Sequence, residues 1–189
     1  MDNFVIISGG PGGGKTTLID ALAMLGHGRT VEAGRYIIRA QAEIGGMGVH
    51  WGDQALFAEL MLMHEIRNYE EALAAPGLVF FDRGIPELVG YLPMVGRPVP
   101  RHFRTAADLY RYNGTVFVTP PWREIFANDA ERKQDFPEAV RTYELCVAAY
   151  REQGYEPVEL PKASVKERVK FVLDRVGSAL AKRAPGKKG

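Results

Sequence analysis

Gly9-Gly10-Pro11-Gly12-Gly13-Gly14-Lys15-Thr16 stands between an apolar, β-branched run, Asn3 to Ser8, and a stretch from Lys15 to about Leu25. In that second stretch Leu18, Leu22 and Leu25 recur at helical spacing, so the glycines join a buried strand to a helix. Gly9, Gly14, Lys15 and Thr16 have the spacing of a P-loop, in the context that motif requires. The demand is physical. Backbone N–H groups must turn inward around a phosphate, which needs positive φ and no Cβ in the way. The following helix then aims its positive end at the anion. The run Gly9, Gly10, Pro11, Gly12, Gly13, Gly14, Lys15, Thr16 and Thr17 is therefore the candidate nucleotide cradle. Lys15 suits the β/γ-phosphates and the Thr16 hydroxyl suits Mg²⁺. No G-x-G-x-x-G can be drawn through the segment, which disfavours a dinucleotide site.

Outward from this loop, strand-like and helical runs alternate. The reading predicts a short strand ending near Val31-Glu32, a helix from Gly34 to Ile44, and a long helix capped by Asp53 and running to about Ala74. Further strands are expected at Leu78–Phe81, Thr115–Val118 and Pro157–Leu160, with helices at Phe136–Gln153 and Val165–Leu180. Phe57, Leu60, Met61 and Met63 on the long helix read as core, on a helix able to wall an acceptor pocket. Continuous apolar strands are buried on both faces, as in a parallel sheet covered by helices, so the fold class is α/β with three layers. Ligands in such sheets bind at the carboxyl ends of the strands. Those ends carry Ser8-Gly9, Glu32-Ala33, Asp82-Arg83, Thr119-Pro120 and Pro161-Lys162. The excursion from Ile85 to about Tyr112 lies beside the acceptor side and carries no assignable role.

Asp82 closes an apolar strand, where a second Mg²⁺-associated carboxylate would stand. Many P-loop hydrolases follow that Asp with a water-activating Glu; here Arg83 follows it. An arginine cannot act as a base at neutral pH, but it can bind an anion or stabilise a transferring phosphoryl group. Glu32 is the candidate base for an acceptor hydroxyl, its alternative being a charge that stabilises the next helix. Arg35 and Arg39 follow at i, i+4 spacing as candidate substrate-binding residues, with Glu32 itself able to be the anion beside Arg35. Arg123 and Arg132 lie nine residues apart, too far out of phase for one rigid helix to aim both inward. A helix–loop–helix lid over about residues 120–134 would bring both to the phosphates.

The 189 residues, 46% hydrophobic and 25% charged, suit one domain with an inserted lid. The formal charge of +1 comes from the end of the chain. Without Lys182, Arg183, Lys187 and Lys188 the body carries three net negative charges, which is not the footprint of a nucleic-acid binder. The lone Cys146 excludes a disulfide framework, and the four scattered histidines form no H-E-x-x-H zinc motif. No run reads as a leader or approaches a membrane span, so a cytoplasmic protein is expected, with residues 178–189 as a basic, disordered tail.

Taken together, the P-loop, the strand-two Glu32, the strand-three Asp82-Arg83 and the arginine-bearing lid segment resemble the P-loop kinases of nucleosides, nucleotides and small metabolites. More closely, they resemble the AAA-labelled ATPase family that includes the kinase domain of the bacterial nicotinamide-riboside kinase and NAD regulator. The resemblance spans roughly residues 3 to 176. It implies a kinase-like domain over residues 1–177 with a five-stranded parallel sheet, Mg-ATP as donor, and Pro161-Lys162-Ala163 near the adenine. The chain is too short for the helical lid domain of AAA+ machines, and no Asn-Lys-x-Asp motif selects guanine. The expectation is a Mg-ATP-dependent kinase acting on a small-molecule acceptor. Its alternative is a nucleotide-dependent switch or slow ATPase that works through a protein partner.

Overall fold

The computed structural model describes residues 1–126 and 135–183. In chain order the elements are β1 (Phe4–Gly9), α1 (Lys15–Met24), β2 (Gly28–Arg29), α2 (Ala33–Ile44), α3 (Gln54–Ala72) and β3 (Val79–Asp82). They continue with α4 (Ile85–Met94), α5 (Arg101–Leu109), β4 (Thr115–Thr119), a 3₁₀ turn (Arg123–Ile125), α6 (Phe136–Glu152), β5 (Glu156–Glu159) and α7 (Val165–Arg183). The five strands form one sheet in the order β2-β3-β1-β4-β5, every pairing parallel. The expected α/β class and five-stranded sheet are both present.

Strand alternation divides the core into two layers. Phe4 and Ile6 of β1 point with Phe81, Val116 and Val118 toward Tyr69 of α3 and Tyr150 of α6. Val5 and Ile7 point with Phe80 and Phe117 toward Leu18 and Leu22 of α1 and Val172 and Val176 of α7. The β1, β3 and β4 runs are buried almost throughout because both their faces are covered. A third cluster joins Leu62 of α3, Leu88 and Leu92 of α4 and Phe103 of α5. The excursion after β3 is thus a helical pair packed on α3.

Local signals set several boundaries. Asp53 caps α3 by accepting from the amides of Ala55 and Leu56, as expected. Asp135 and Glu138 form a reciprocal capping box at the start of α6. The second strand differs from expectation: it ends at Arg29 rather than near Glu32. Thr30 still bonds the Phe80 carbonyl, but the Val31 carbonyl accepts from the Asn68 side chain at 3.3 Å, and Glu32 is already the N-cap residue of α2. The helix after β5 also runs further than expected, taking in the first residues of the stretch from 178 that was expected to be a disordered tail. Residues 184–189 lie outside the described residues. Among the described residues no helix is long and apolar enough to cross a membrane.

Candidate nucleotide and acceptor site

The glycine run leaves β1 at Gly9 and enters α1 at Gly14, with φ of 123° and 75° at these two positions. A Cβ on Gly9 would come within 2.5 Å of the Thr119 carbonyl oxygen, so only glycine fits between β1 and the end of β4. Gly14 caps α1 in the left-handed conformation without a side-chain cap, which leaves the first-turn amides for an anion. Lys15 is buried at 5% exposure, its Nζ donating to the carbonyls of Gly10 at 2.8 Å and Gly9 at 3.2 Å. Thr16 and Thr17 are exposed at the mouth.

Asp82 pairs with Ile7 in the parallel register, which sets its carboxyl at the end of the strand beside the P-loop strand. It is buried, and its Oδ1 has no hydrogen-bond partner. Burial pushes its pKa up, while the Lys15 ammonium and the Arg83 guanidinium pull it down. A buried carboxyl oxygen without a partner, next to a phosphate cradle with a Thr hydroxyl at its mouth, fits an Mg²⁺ ion held through water and phosphate. Among the described residues no group of three or more His, Cys, Asp or Glu could cage a metal by itself.

Arg83 is the one non-glycine residue with positive φ among the described residues, at 73°. A left-handed arginine costs about 1–2 kcal/mol, offset here by what the side chain reaches. Its backbone N–H donates to the Ile7 carbonyl at 3.1 Å. Its guanidinium lies between two carboxylates, bonded to Glu87 through Nη1 and 3.6 Å from Glu32 Oε1 through Nε. Glu32 Oε2 in turn accepts from Arg35 Nε at 3.2 Å. Burial alone would lower the Arg83 pKa; the Glu87 carboxylate more than reverses this, so the group stays charged. Burial would raise the pKa of Glu87, but Arg83 and the Ser8 hydroxyl hold it below the ordinary carboxylate range. Three donors complete Glu87: Ser8 Oγ at 2.5 Å, Tyr150 OH at 3.1 Å and Cys146 Sγ at 3.2 Å.

Glu32, Arg83 and Glu87 line a cavity of about 420 Å³. Its walls come from Ile38 of α2, Phe57, Met61 and Glu65 of α3, Leu88, Tyr91 and Met94 of α4, and Thr142, Leu145 and Cys146 of α6. His50 closes one side, from the loop whose Trp51 is exposed. The excursion after β3, to which the sequence assigned no role, thus supplies a wall.

Of the residues expected from sequence, Glu32, Asp82, Arg83 and the P-loop come together at the strand ends. Arg35 joins through Glu32. Arg39 is exposed and does not line the cavity. Arg123 is exposed and stacks over the Phe136 ring at 4.3 Å, in a 3₁₀ turn whose neighbour Phe126 packs against Gly12. The rest of the expected lid, residues 127–134 including Arg132, lies outside the described residues. Pro161, Lys162 and Ala163 form the loop after β5, and Ser164 and Glu167 brace it through reciprocal hydrogen bonds.

Four contributors were missed. Glu87 stands four residues after Arg83, a spacing that announces a helical ion pair. Ser8, Glu65 and Arg168 carry no such signal. Arg168, on α7, is 3% exposed and reaches back across the chain to donate to the Gly13 carbonyl at 3.1 Å.

Comparison with known proteins agrees with this architecture. The sequence model of an AAA domain family matches residues 4–168. No curated protein sequence matches. A deoxyadenosine kinase structure from M. mycoides superposes with a TM-score of 0.58 at 14% identity, covering 93% of this chain and 99% of that one. A thymidylate kinase from Ehrlichia chaffeensis gives 0.58 at 17%, covering 93% and 98%. The NadR protein in complex with NR gives 0.68 at 18%, this chain covering half of that one. At these identities the likeness is one of fold: this chain has the fold of the P-loop kinases. With most of its length inside the matching family, the chain belongs to that AAA domain family.

Proposed function

We propose that this protein is a phosphotransferase that moves the γ-phosphoryl of ATP to a hydroxyl of a small molecule held in the 420 Å³ cavity. One observation carries the reading. A largely apolar, helix-walled cavity is lined by a carboxylate–guanidinium–carboxylate cluster, Glu32, Arg83 and Glu87, whose Glu87 is hydrogen-bonded to Ser8 of the P-loop strand. A switch or slow ATPase has no need of such a chamber.

The P-loop amides and Lys15 hold the phosphates, and Thr16 with Asp82 would hold the magnesium. The bound ion and its nucleotide supply the reactive phosphoryl group and much of the charge neutralisation. Glu32, which lines the acceptor cavity, is assigned to orient an acceptor hydroxyl and take its proton. Arg83 keeps that carboxylate in place and balances charge as the phosphoryl group passes. Arg83 is itself held by Glu87, which Ser8 ties to the strand leading into the P-loop. Arg123 from the lid segment adds guanidinium charge if the segment closes over the phosphates.

The test is ADP release from Mg-ATP, with and without each member of a panel of nucleosides, sugars and cofactor precursors. Acceptor-dependent ADP release, abolished by Lys15→Ala, supports the reading. The same low background with every acceptor sinks it in favour of a slow ATPase.

A further inference from the structure

Two carboxyls of the cavity lining, Glu65 and Glu138, have no part in the phosphoryl-transfer reading; Glu138 is engaged in the capping box of α6, which leaves Glu65. It is 2% exposed, on α3, and its Oε2 has no hydrogen-bond partner. Phe57, Met61 and Glu65 follow at four-residue spacing, so one face of α3 presents an aromatic ring, a thioether and then this carboxyl to the cavity. Opposite, on α4, the Tyr91 hydroxyl is also buried without a partner. Two buried polar groups without a protein partner, on facing helices of a largely apolar chamber, each carry a desolvation cost that a hydrogen-bonding ligand would offset. Burial pushes the Glu65 pKa up to about 8, with Asp82 and Glu87 adding to it and the Asn68 side chain and Arg83 opposing it. A donor supplied by a ligand acts in the opposite direction and favours the ionised form.

The rest of the lining decides the sign of the ligand. Glu32, Glu65, Glu87 and Glu138 all contribute to the wall, whereas Arg83, the one Lys or Arg in it among the described residues, is bonded to Glu87 and lies beside Glu32. Burial lowers the His50 pKa, so that ring adds no positive charge at neutral pH. Among the described residues, the lining offers no uncommitted cation to balance a carboxylate or phosphate on the acceptor.

We propose that Glu65 is a specificity-determining residue of the acceptor cavity: it accepts a hydrogen bond from an amino or hydroxyl group on a neutral or cationic ring compound whose reacting hydroxyl lies at Glu32. This rests on the phosphotransferase reading and adds the acceptor's class. The ring lies along Phe57 and Met61, and Tyr91 bonds a second polar atom.

The probes are hydroxyl-bearing ring compounds in pairs that differ by one amino group, adenosine against purine riboside and cytidine against 2-pyrimidinone riboside, with shikimate and AMP as anionic acceptors. ADP release is followed in the wild type, Glu65→Gln and Glu65→Leu. Preference of the wild type for the amino member, by about ten- to hundredfold in kcat/KM, is expected to collapse in Glu65→Leu through acceptor KM, with the KM for ATP unchanged. Glu65→Gln preserves shape and an acceptor oxygen, so it is expected to fold and to retain part of the preference. If Glu65→Leu fails to fold, an acceptor KM in Glu65→Gln equal to the wild-type value overturns the proposal. Turnover with the same preference in every variant, or with an anionic acceptor favoured, overturns the Glu65 assignment and leaves the phosphotransferase reading standing. Absence of any acceptor-dependent turnover overturns both.

Discussion

The Ser8 hydroxyl, on strand β1 one residue before the first P-loop glycine, donates a 2.5 Å hydrogen bond to Glu87 of α4. Through it the strand that leads into the phosphate cradle is joined to the helix that walls the acceptor cavity. Glu87 passes the connection to Arg83, and Arg83 to Glu32. The cluster is buried, so each charge in it depends on its neighbours.

Removing Glu87 therefore takes from a largely buried guanidinium its directly bonded carboxylate and leaves Glu32 at 3.6 Å. Glu87→Ala is expected to cost about 3–5 kcal/mol of stability. Urea unfolding monitored by circular dichroism measures this; a loss within roughly 0.5 kcal/mol, the scatter for surface sites, contradicts the account. The pH dependence has a definite sign. Glu87 titrates lower in the folded chain than when unfolded, so its contribution is present above the unfolded value of about 4.3 and is lost as pH falls through the folded one. Glu87→Gln should flatten the acid limb of the stability profile.

Glu65 works the other way. Its folded pKa is raised to about 8, so its stabilising contribution is complete below the unfolded value and is lost as pH rises through about 8. The wild type should lose several kcal/mol, roughly 3–5, between pH 5 and 9 from this group. Glu65→Gln should remove most of that slope, read as the change in urea midpoint with pH. An unchanged slope would show that Glu65 is not desolvated in solution.

For Glu32, replacement by Gln keeps the size and an acceptor oxygen but removes the basic one. Acceptor-dependent turnover should fall by about 10²–10⁴-fold with the KM for ATP within a few-fold. Steady-state kinetics with both substrates separates these parameters. Full turnover in Glu32→Gln would leave the carboxylate as a partner for Arg83 and Arg35 and nothing more.

Arg168 holds the Gly13 carbonyl from outside the phosphate loop, and its Nε has no hydrogen-bond partner. In the same trans peptide the Gly14 N–H points opposite to that carbonyl, so holding the one fixes the direction of the other. Arg168→Met should raise the KM for ATP several-fold, about the worth of one buried hydrogen bond, with acceptor KM unchanged. Equal effects on both substrates would mean a general loosening of the fold.

The nucleotide half of the site was legible in the chain because its chemistry is contiguous. Glycines, Lys15 and Thr16 act through backbone they share, and the flanking strand and helix announce themselves by period. Asp82-Arg83 at a strand end and the Asp53 cap were readable for the same reason, and so was the parallel α/β class. Glu65 was not: a glutamate one turn beyond Met61 looks like a solvated position until α4 covers it. Even the end of β2 depended on Asn68 reaching across from α3 to take the Val31 carbonyl. Local pattern specifies which face of an element is apolar and where a backbone turn is possible. Which charge meets which carboxylate, and what cavity remains between four helices, is decided by packing between elements far apart in sequence, where no spacing rule applies.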